Sequence, residues 1–403
     1  MSSSFAPLGF EEFHAVDLPR RLSAAPSSLP ETYTRRLRPL GIQIRETGAS
    51  KTYRIAGGGV GVVDGQADAA TVIEIAHESW QEIVHDLETA PGLIYGQRVR
   101  RIRGDLMQFL EWEPALRWMF TGREVYDPAS VDLRDASGAP LDLTRGFALE
   151  DDDAEMAHFL ANAGYLWVRN VLSAEEIDGL RNAAGRLEAA AREGDQESWW
   201  GKRSDGSPVL CRVLRAGKEP CMGALHSDSR LRRLVSLCEV EMDTKMGARD
   251  KDGVTVLWKR PGVEEGLANL PWHRDCGMGG HASMCPTAVL SVFLGPNTPE
   301  AGQLSFLPGS WQKSFPFAEA GDAHAPQGVA PPASAGDVTL HYGDGLHVAP
   351  APTGALGPYR SCVLIGFARA GGGHHRGLRH YNDALLGAED GQIEHMSKLV
   401  SKS

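Results

Sequence analysis

Five strand-like runs in the second half of the chain restrict its fold more than any other feature of the sequence. They are rich in valine, leucine and phenylalanine, and they cover Val254–Lys259, Ala288–Leu294, Gln303–Leu307, Asp337–His341 and Ser361–Phe367. Glycine and proline are frequent in the segments between them, as is typical of turns. Short strands at this spacing indicate an antiparallel barrel or a jelly roll.

The chain of 403 residues is longer than a single hydrophobic core usually extends, so we expect two domains. The predicted fold class is α+β, with a double-stranded β-helix (jelly roll) flanked by helices and preceded by a small α+β domain. The predicted segments are an extended arm over 1–40, the small domain over 41–128, a linker over 129–153, the jelly roll over 154–380 and a polar tail over 381–403.

Local patterns predict several elements outside the five runs. Thr71–Ile75 alternates like a strand, and the apolar residues that follow, beginning with Trp80, have helical spacing. Ser173 begins a long helix, with Glu176 three residues later to complete a capping box. The long segment Phe317–Ala335 is rich in alanine and proline, and loops of this length are often lids.

Charge and cysteine usage limit the partners of the protein. A net charge of -11 argues against nucleic acid or an anionic membrane as the main partner. The basic cluster Arg98–Arg103 is expected to be a solvated face. The six cysteines contain no CxxC pair, and we find no signal-peptide pattern or membrane span, so we expect reduced thiols, a cytoplasmic location and a small-molecule substrate. The oligomeric state cannot be predicted from the sequence.

His273 and Asp275 form the strongest candidate for a metal site. A strand directs alternate side chains to one face, so these two residues can reach a common ion. One further imidazole would complete a set of two histidines and one carboxylate. This set leaves open positions on iron(II) for a chelating co-substrate and oxygen.

A second His-x-Asp triplet, His226-Ser227-Asp228, is a weaker candidate. It runs directly into a helically spaced segment that carries Leu231 and Leu234. Ser227 or Asp228 is therefore expected to be an N-cap, and residues two apart on a helix point in different directions. Zinc binding by Cys211, Cys221 and His226 has no standard spacing, and no Gly-x-Ser-x-Gly elbow supports a nucleophilic triad.

The second imidazole has two candidates. His341 lies within a predicted strand, and His347 lies at the entry to the next strand after the turn Gly343–Gly345. Either side chain could reach the mouth of a barrel, so the spacing leaves both open.

Several segments, taken in order, resemble the phytanoyl-CoA dioxygenase family over about residues 155–370. They are Asn162–Tyr165, Leu172–Ile177, Lys259–Gly262, Pro271–Asp275, Leu304–Ser310 and Gly336-Asp337 followed by His347. The resemblance implies an iron(II)- and 2-oxoglutarate-dependent oxygenase that consumes O2 and releases succinate and CO2. It implies His273, Asp275 and His347 as metal ligands, Arg360 as the residue that binds the far carboxylate of 2-oxoglutarate, and Lys259 as an assisting residue.

The residue types also indicate the class of reaction. Halide would need the coordination position that Asp275 occupies, so an aspartate there favours hydroxylation over halogenation. Arg360 suits a carboxylate because its planar guanidinium can bind one in a bidentate manner.

A second resemblance concerns residues 45–125, whose order of elements is similar to that of a sterol-carrier-protein-like lipid-binding domain. The matching segment is Gly96–Asp105 with the amphipathic helix after it. The resemblance implies a tunnel for an apolar ligand, and hence an apolar or carrier-linked substrate. The alternative function is a lipid carrier whose oxygenase domain has lost its activity.

Overall fold

A five-stranded N-terminal sheet and the two sheets of a jelly roll form the framework of the protein. The structure is a computed structural model, and it describes residues 6–25, 28–244, 253–266, 268–275, 287–319, 321–370 and 396–402.

The first forty residues contain helices, so the prediction of an extended arm is wrong. The helices are α1 (Phe10–Glu12), α2 (Leu18–Ser23) and α3 (Glu31–Thr34), and a π-helical turn, Phe13–Asp17, joins the first two. Pro19 falls in the first turn of α2, where no helical partner for its missing N–H is needed. Phe10, Phe13 and Tyr33 are buried in the same core as the N-terminal sheet, which holds the segment in place.

The N-terminal sheet has the spatial order β3-β2-β1-β4-β5. Its strands are β1 (Leu40–Ile44), β2 (Ser50–Ala56), β3 (Gly59–Asp64), β4 (Thr71–Ile75) and β5 (Val99–Arg103). Its helices are α4 (His77–Val84), α5 (Ala90–Tyr95) and α6 (Met107–Thr121). The predicted strand Thr71–Ile75 and the helix around Trp80 are confirmed. Strand β5 is mostly exposed, which confirms the solvated basic face for Val99–Arg103, whereas Arg98 is largely buried and pairs with Glu82 and Glu88.

The second domain has the jelly-roll architecture that the strand pattern predicted. Its strands are β6 (Tyr165–Val168), β7 (Ser198–Arg203), β8 (Pro208–Val213), β9 (Met242–Thr244), β10 (Val254–Trp258), β11 (Val263–Glu265), β12 (Thr287–Phe293), β13 (Ser305–Phe306), β14 (Val338–Tyr342), β15 (His347–Val348) and β16 (Ser361–Arg369). The larger sheet has the order β11-β7-β8-β10-β16-β12-β14-β6, with β9 also on β16, and β13 pairs with β15 in the smaller sheet.

Helices cover the larger sheet and connect the two domains. They are α7 (Asp153–Ala163), α8 (Ala174–Ala190), α9 (Pro220–Gly223), α10 (Ser229–Val235) and α11 (Met396–Lys402). The predicted capping box of Ser173 and Glu176 begins α8. No helix among the described residues has the length and apolar character that crossing a membrane requires.

The C-terminal segment is more than the polar tail predicted for residues 381–403. Residues 381–395 lie outside the described part of the chain, but α11 is helical and packs on α5. Met396 and Val400 are buried in the N-terminal core, because the helix places them four residues apart on one face. This short apolar stripe was not predicted, because the tail as a whole is polar.

The Gly336-Asp337 pair holds β14 against β6. Gly336 has a φ of +94°, and a Cβ atom on it would lie 2.7 Å from the carbonyl oxygen of Leu172, so glycine is required there. The buried carboxylate of Asp337 accepts hydrogen bonds from the indole of Trp167 and from the backbone N–H groups of Asn170 and Ser334, at 3.2, 2.9 and 2.9 Å.

We predict that Asp337→Ala lowers the free energy of unfolding by about 3 kcal/mol, because it leaves three donors without an acceptor, one of them the buried indole N–H of Trp167. Urea unfolding followed by circular dichroism measures the change. The control is Asp142→Ala, which removes an exposed turn carboxylate that accepts from Thr144. An equal effect of the two substitutions would contradict the structural role of Asp337.

Candidate metal and co-substrate site

His273 and His347 face each other across the smaller sheet. Each backbone N–H donates to the carbonyl oxygen of the other residue, and both N···O distances are 3.0 Å. Such a pair in an antiparallel ladder places both side chains on the same face. The ring centroids lie 4.2 Å apart, so two segments far apart in the sequence bring two imidazoles together.

The outer nitrogen of each imidazole is fixed by a backbone carbonyl. Nδ1 of His273 lies 2.8 Å from the oxygen of Pro271, and Nδ1 of His347 lies 3.0 Å from the oxygen of Gly345. A carbonyl can only accept, so Nδ1 carries the proton and Nε2 keeps its lone pair. Burial lowers the pKa of His273 to about 4 and that of His347 well below its ordinary value, so both rings are neutral at neutral pH.

Asp275 completes the group. Its Oδ1 atom lies 3.8 Å from Nε2 of His273 and 3.8 Å from Nε2 of His347. Burial would raise the pKa of Asp275, but His347, His341 and His273 outweigh it and hold the pKa well below its ordinary value. Two neutral imidazoles and one carboxylate are the donor set that suits iron(II) with open coordination positions.

His347 belongs to the potential metal-binding group, and His341 does not. Among the described residues, His273, Asp275 and His347 are the group whose ligand atoms all lie within 4.8 Å of one another. His341 is close by, with Nε2 at 3.4 Å from Oδ2 of Asp275. The structure thus favours His347, and it leaves His341 beside the carboxylate.

The second triplet, His226-Ser227-Asp228, provides the helix N-cap that was predicted for it. The side chain of Asp228 accepts from the backbone N–H groups of Arg230 and Leu231, so it caps α10. Cys211 and Cys221 are free thiols, and the potential metal-binding group in the described part of the chain contains neither of them nor His226. The segment of residues 276–286 after Asp275 lies outside the described residues.

Lys259 and Arg360 are both buried, and the structure brings them together. The backbone N–H of Lys259 donates to the carbonyl oxygen of Arg360 at 2.8 Å. The Lys259 ammonium donates to neutral oxygens, those of Ala268 and Asn269 at 3.0 and 2.9 Å and that of Ala349. Burial lowers the pKa of Lys259 well below its ordinary value, and the charges of Arg360 and Arg212 lower it further.

Arg212 is the charged residue that sequence reasoning missed. It lies on β8 opposite Leu257, and its charge lowers the pKa of both Lys259 and His273. The only sequence signal is a single arginine inside the apolar run Pro208–Val213. Lys259, Arg212 and Arg360 together form a cationic region that acts on His273 through Arg212, and no carboxylate is among the charges that act most strongly on Lys259.

A buried network of charges lies behind the metal-binding group and connects it to the N-terminal domain. Arg123, which follows α6, donates to Asp344 in the turn before His347. Arg274, which lies between His273 and Asp275, has its Nε 3.8 Å from Asp344 Oδ1. Arg123 also lies 3.9 Å from Asp86. The guanidinium groups therefore join the two segments that carry the histidines to the N-terminal domain.

Arg123→Met should lower the free energy of unfolding by about 3 kcal/mol, because it leaves the buried carboxylate of Asp344 undercompensated. The double variant Arg123→Met/Asp344→Asn should lose less, since the uncompensated charge is also removed. Urea titrations of the wild type, the single variants Arg123→Met and Asp344→Asn, and the double variant measure this coupling. Arg134→Met, which breaks an exposed pair with Asp132, should cost less than about 1 kcal/mol and serves as the control.

The pair of Arg123 and Asp344 also predicts that the free energy of unfolding depends on pH. Burial would raise the pKa of Asp344, but Arg123, Arg274 and Arg117 outweigh it and hold the pKa below its ordinary value. The folded protein then binds fewer protons than the unfolded chain, so this stabilisation is present above about pH 4 and is lost as the pH falls below that. The wild type should therefore lose stability more steeply than the double variant on acidification. Equal losses of unfolding free energy in the wild type and the double variant on acidification would contradict the pairing.

The family model described as phytanoyl-CoA dioxygenase matches residues 160–355, a range that contains His273, Asp275 and His347. Residues 160–355 therefore match the phytanoyl-CoA dioxygenase family. The family prediction for residues 155–370 is confirmed, and with it the assignment of an oxygenase that depends on iron(II) and 2-oxoglutarate. The match does not extend to residues 45–125, so the similarity of that segment to a sterol carrier stays a prediction.

Three solved structures are similar to part of this dioxygenase. The α-ketoglutarate-dependent epimerase SnoN from nogalamycin biosynthesis is 22% identical, with 60% of this chain and 93% of SnoN covered and a TM-score of 0.46. EctD from S. alaskensis, solved with 2-oxoglutarate and 5-hydroxyectoine, is 22% identical, with 63% and 84% covered and a TM-score of 0.43. AviO1 from Streptomyces viridochromogenes is 23% identical, with 55% and 97% covered and a TM-score of 0.42. No curated protein sequence matches the chain significantly.

Proposed function

We propose that this dioxygenase hydroxylates an unactivated C–H bond of an apolar or carrier-linked small molecule, with release of succinate and CO2. The observation that carries the proposal is the position of Asp275 Oδ1, which lies at the same distance of 3.8 Å from Nε2 of His273 and of His347. The three donor atoms are therefore close enough to bind one ion.

The proposed metal ligands are His273, Asp275 and His347. Iron(II), together with 2-oxoglutarate and oxygen, supplies an oxidant able to remove hydrogen from an unactivated C–H bond. The protein's part is to present two neutral imidazoles and one carboxylate and to keep the imidazoles in one tautomer. The backbone carbonyls of Pro271 and Gly345 do the latter, since each accepts from Nδ1.

Arg360 and Lys259 are proposed to bind the far carboxylate of 2-oxoglutarate. Arg360 is only 3% exposed, and its Nε donates to the carbonyl of Gly302 while Nη1 reaches the sulfur of Cys362 at 3.4 Å. A buried cation whose contacts are neutral is costly unless an anion joins it. A dicarboxylate would supply that anion, and the charge of Arg212 adds to the attraction.

Hydroxylation is the proposed outcome because an aspartate occupies the carboxylate position. The apolar character of the proposed substrate rests on the N-terminal domain. The free thiols Cys211, Cys221, Cys238 and Cys362 support a reducing, cytoplasmic location.

A panel of small molecules scored by stimulated succinate release would identify the substrate.

The alternative is a lipid carrier with an inactive oxygenase domain, and one cavity favours it. The cavity has a volume of about 560 Å³ including its open mouth, and it lies between the two domains. Trp272, Arg274 and Leu346 line it, and His273 of the metal-binding group lines it as well, so the cavity adjoins that group. Leu110 and Met396 close it from the other side, so its walls are mainly apolar.

The loop Phe317–Ala335 was predicted as a lid and stays a prediction. Backbone hydrogen bonds join Trp272 to Ala318 and Phe306 to Val329, so residues 318 and 329 of the loop are attached to segments next to the site.

Asp275→Ala should abolish iron-dependent formation of succinate, because the substitution removes the anionic ligand. Anaerobic addition of 2-oxoglutarate to the iron(II)-loaded wild type should produce a visible charge-transfer band, and the variant should not. Asp178→Ala, an exposed carboxylate on α8, is the matched control and should keep the band. A wild type without the band would support the carrier alternative.

Arg360→Ala should raise the KM for 2-oxoglutarate by roughly 10- to 100-fold, which corresponds to the loss of one charged pairing of about 1.5–3 kcal/mol. The dissociation constant for iron(II) alone should change little, since Arg360 is not a ligand. Steady-state succinate release at varied 2-oxoglutarate gives the KM. Unchanged activity would instead indicate an iron oxygenase that needs no oxoacid.

A further inference from the structure

His341 is a third imidazole at the metal-binding group, and none of the roles derived above uses it. It lies on β14, with its backbone opposite Val289, and it is only 3% exposed. Neither of its ring nitrogens makes a hydrogen bond of good geometry, and the carboxylate of Asp275 lies 3.4 Å from Nε2. Buried polar side-chain atoms are nearly always satisfied, so two unsatisfied nitrogens on one buried ring require an explanation.

The position of the ring relative to Asp275 supplies that explanation. Nε2 of His341 lies 3.4 Å from Oδ2 of Asp275, and the other oxygen, Oδ1, is the one that lies 3.8 Å from the two other histidines. The two oxygens of one carboxylate therefore face different neighbours. Oδ1 faces the metal-binding group, and Oδ2 faces His341.

We propose that His341 is a positioning residue that donates its Nε2–H to Oδ2 of Asp275 and thereby presents Oδ1 to the metal. This role rests on the proposed function, since it requires that Asp275 is a ligand. A short contraction, from 3.4 Å to about 2.9 Å, makes the contact an ordinary hydrogen bond. The bond restricts rotation of the carboxylate and leaves one oxygen for the ion.

The surroundings of His341 fit this role better than that of a ligand. His273 and His347 each have Nδ1 on a backbone carbonyl, which leaves Nε2 without a proton. His341 has no such carbonyl, so its Nε2 is able to carry the proton that a donor needs. The ring stands between Phe306, at a centroid distance of 5.1 Å, and His347, at 4.6 Å, and these neighbours keep it against the carboxylate.

The test compares variants of the full chain with and without a donor at this position. His341→Leu and His341→Phe remove the donor, and Phe keeps a ring beside Phe306 in case Leu disturbs the fold. His341→Gln places an amide N–H near the position of Nε2. Thr339→Val is the matched control, since Thr339 is buried two residues earlier on the same face of β14 and its hydroxyl also lacks a partner.

The measurement is an anaerobic titration with Mn²⁺ in the presence of 2-oxoglutarate, followed by calorimetry, with the melting temperature of each metal-free protein recorded. Loss of a residue that orients a ligand typically weakens metal binding by about 10- to 100-fold, and we expect this for the Leu and Phe variants. The Gln variant should stay within about threefold of the wild type, as should Thr339→Val. A merely structural role would lower the melting temperature of all donor-free variants without this separation in affinity.

Two results would overturn the proposal. If the Leu and Phe variants bind Mn²⁺ as tightly as the wild type, His341 does not position Asp275. If the Gln variant loses binding as completely as His347→Ala does, His341 is a metal ligand in its own right. Failure of the wild type itself to bind Mn²⁺ would instead reject the proposed function, so the two failures are distinguishable.

Discussion

The reciprocal backbone hydrogen bonds between His273 and His347 are the contact on which the rest of the site depends. They set the register of two segments that are remote in sequence, and a slip of one residue would turn one imidazole to the opposite face of the sheet. The same short strands supply the carbonyl groups of Pro271 and Gly345 that hold the outer nitrogens. One local register thus determines the position, orientation and tautomer of two proposed ligands.

The charged groups are arranged differently on the two sides of this ladder. On one side, Arg123 and Arg274 lie close to carboxylates from both domains, so the positive and negative charges of this network balance one another. The network joins the metal-binding strands to the N-terminal domain. On the other side, the side chains of Lys259 and Arg360 donate hydrogen bonds to uncharged carbonyl and amide oxygens. The balanced network suits a structural support, and the unbalanced cations suit a pocket for an anionic co-substrate. The N-terminal domain therefore contributes to the frame of the oxygenase, whatever ligand its own surface binds.

Sequence patterns were sufficient for the parts of the molecule that depend on local chemistry. Strand alternation predicted the jelly roll, the capping box at Ser173 begins α8, and the spacing of His273 and Asp275 placed both in one group. The patterns failed where tertiary contacts decide. The extended arm predicted for residues 1–40 contains helices, with Pro19 in the first turn of α2, and Met396 in the polar C-terminal segment is buried.

Other features carry no local signal. Spacing alone left His341 and His347 open and the family resemblance implied His347, but the three-dimensional register was needed to show that His347 faces His273 and His341 faces the second oxygen of Asp275. Arg212 reaches the site through pairing of β8 with β10, which sequence periodicity does not reveal.

The most direct test of the proposed metal site is a crystal structure of the protein grown anaerobically with Mn²⁺ and 2-oxoglutarate. The account predicts one ion bonded at about 2.1 Å to Nε2 of His273, Nε2 of His347 and a single oxygen of Asp275, and an ion held by His341 in place of His347 would contradict it.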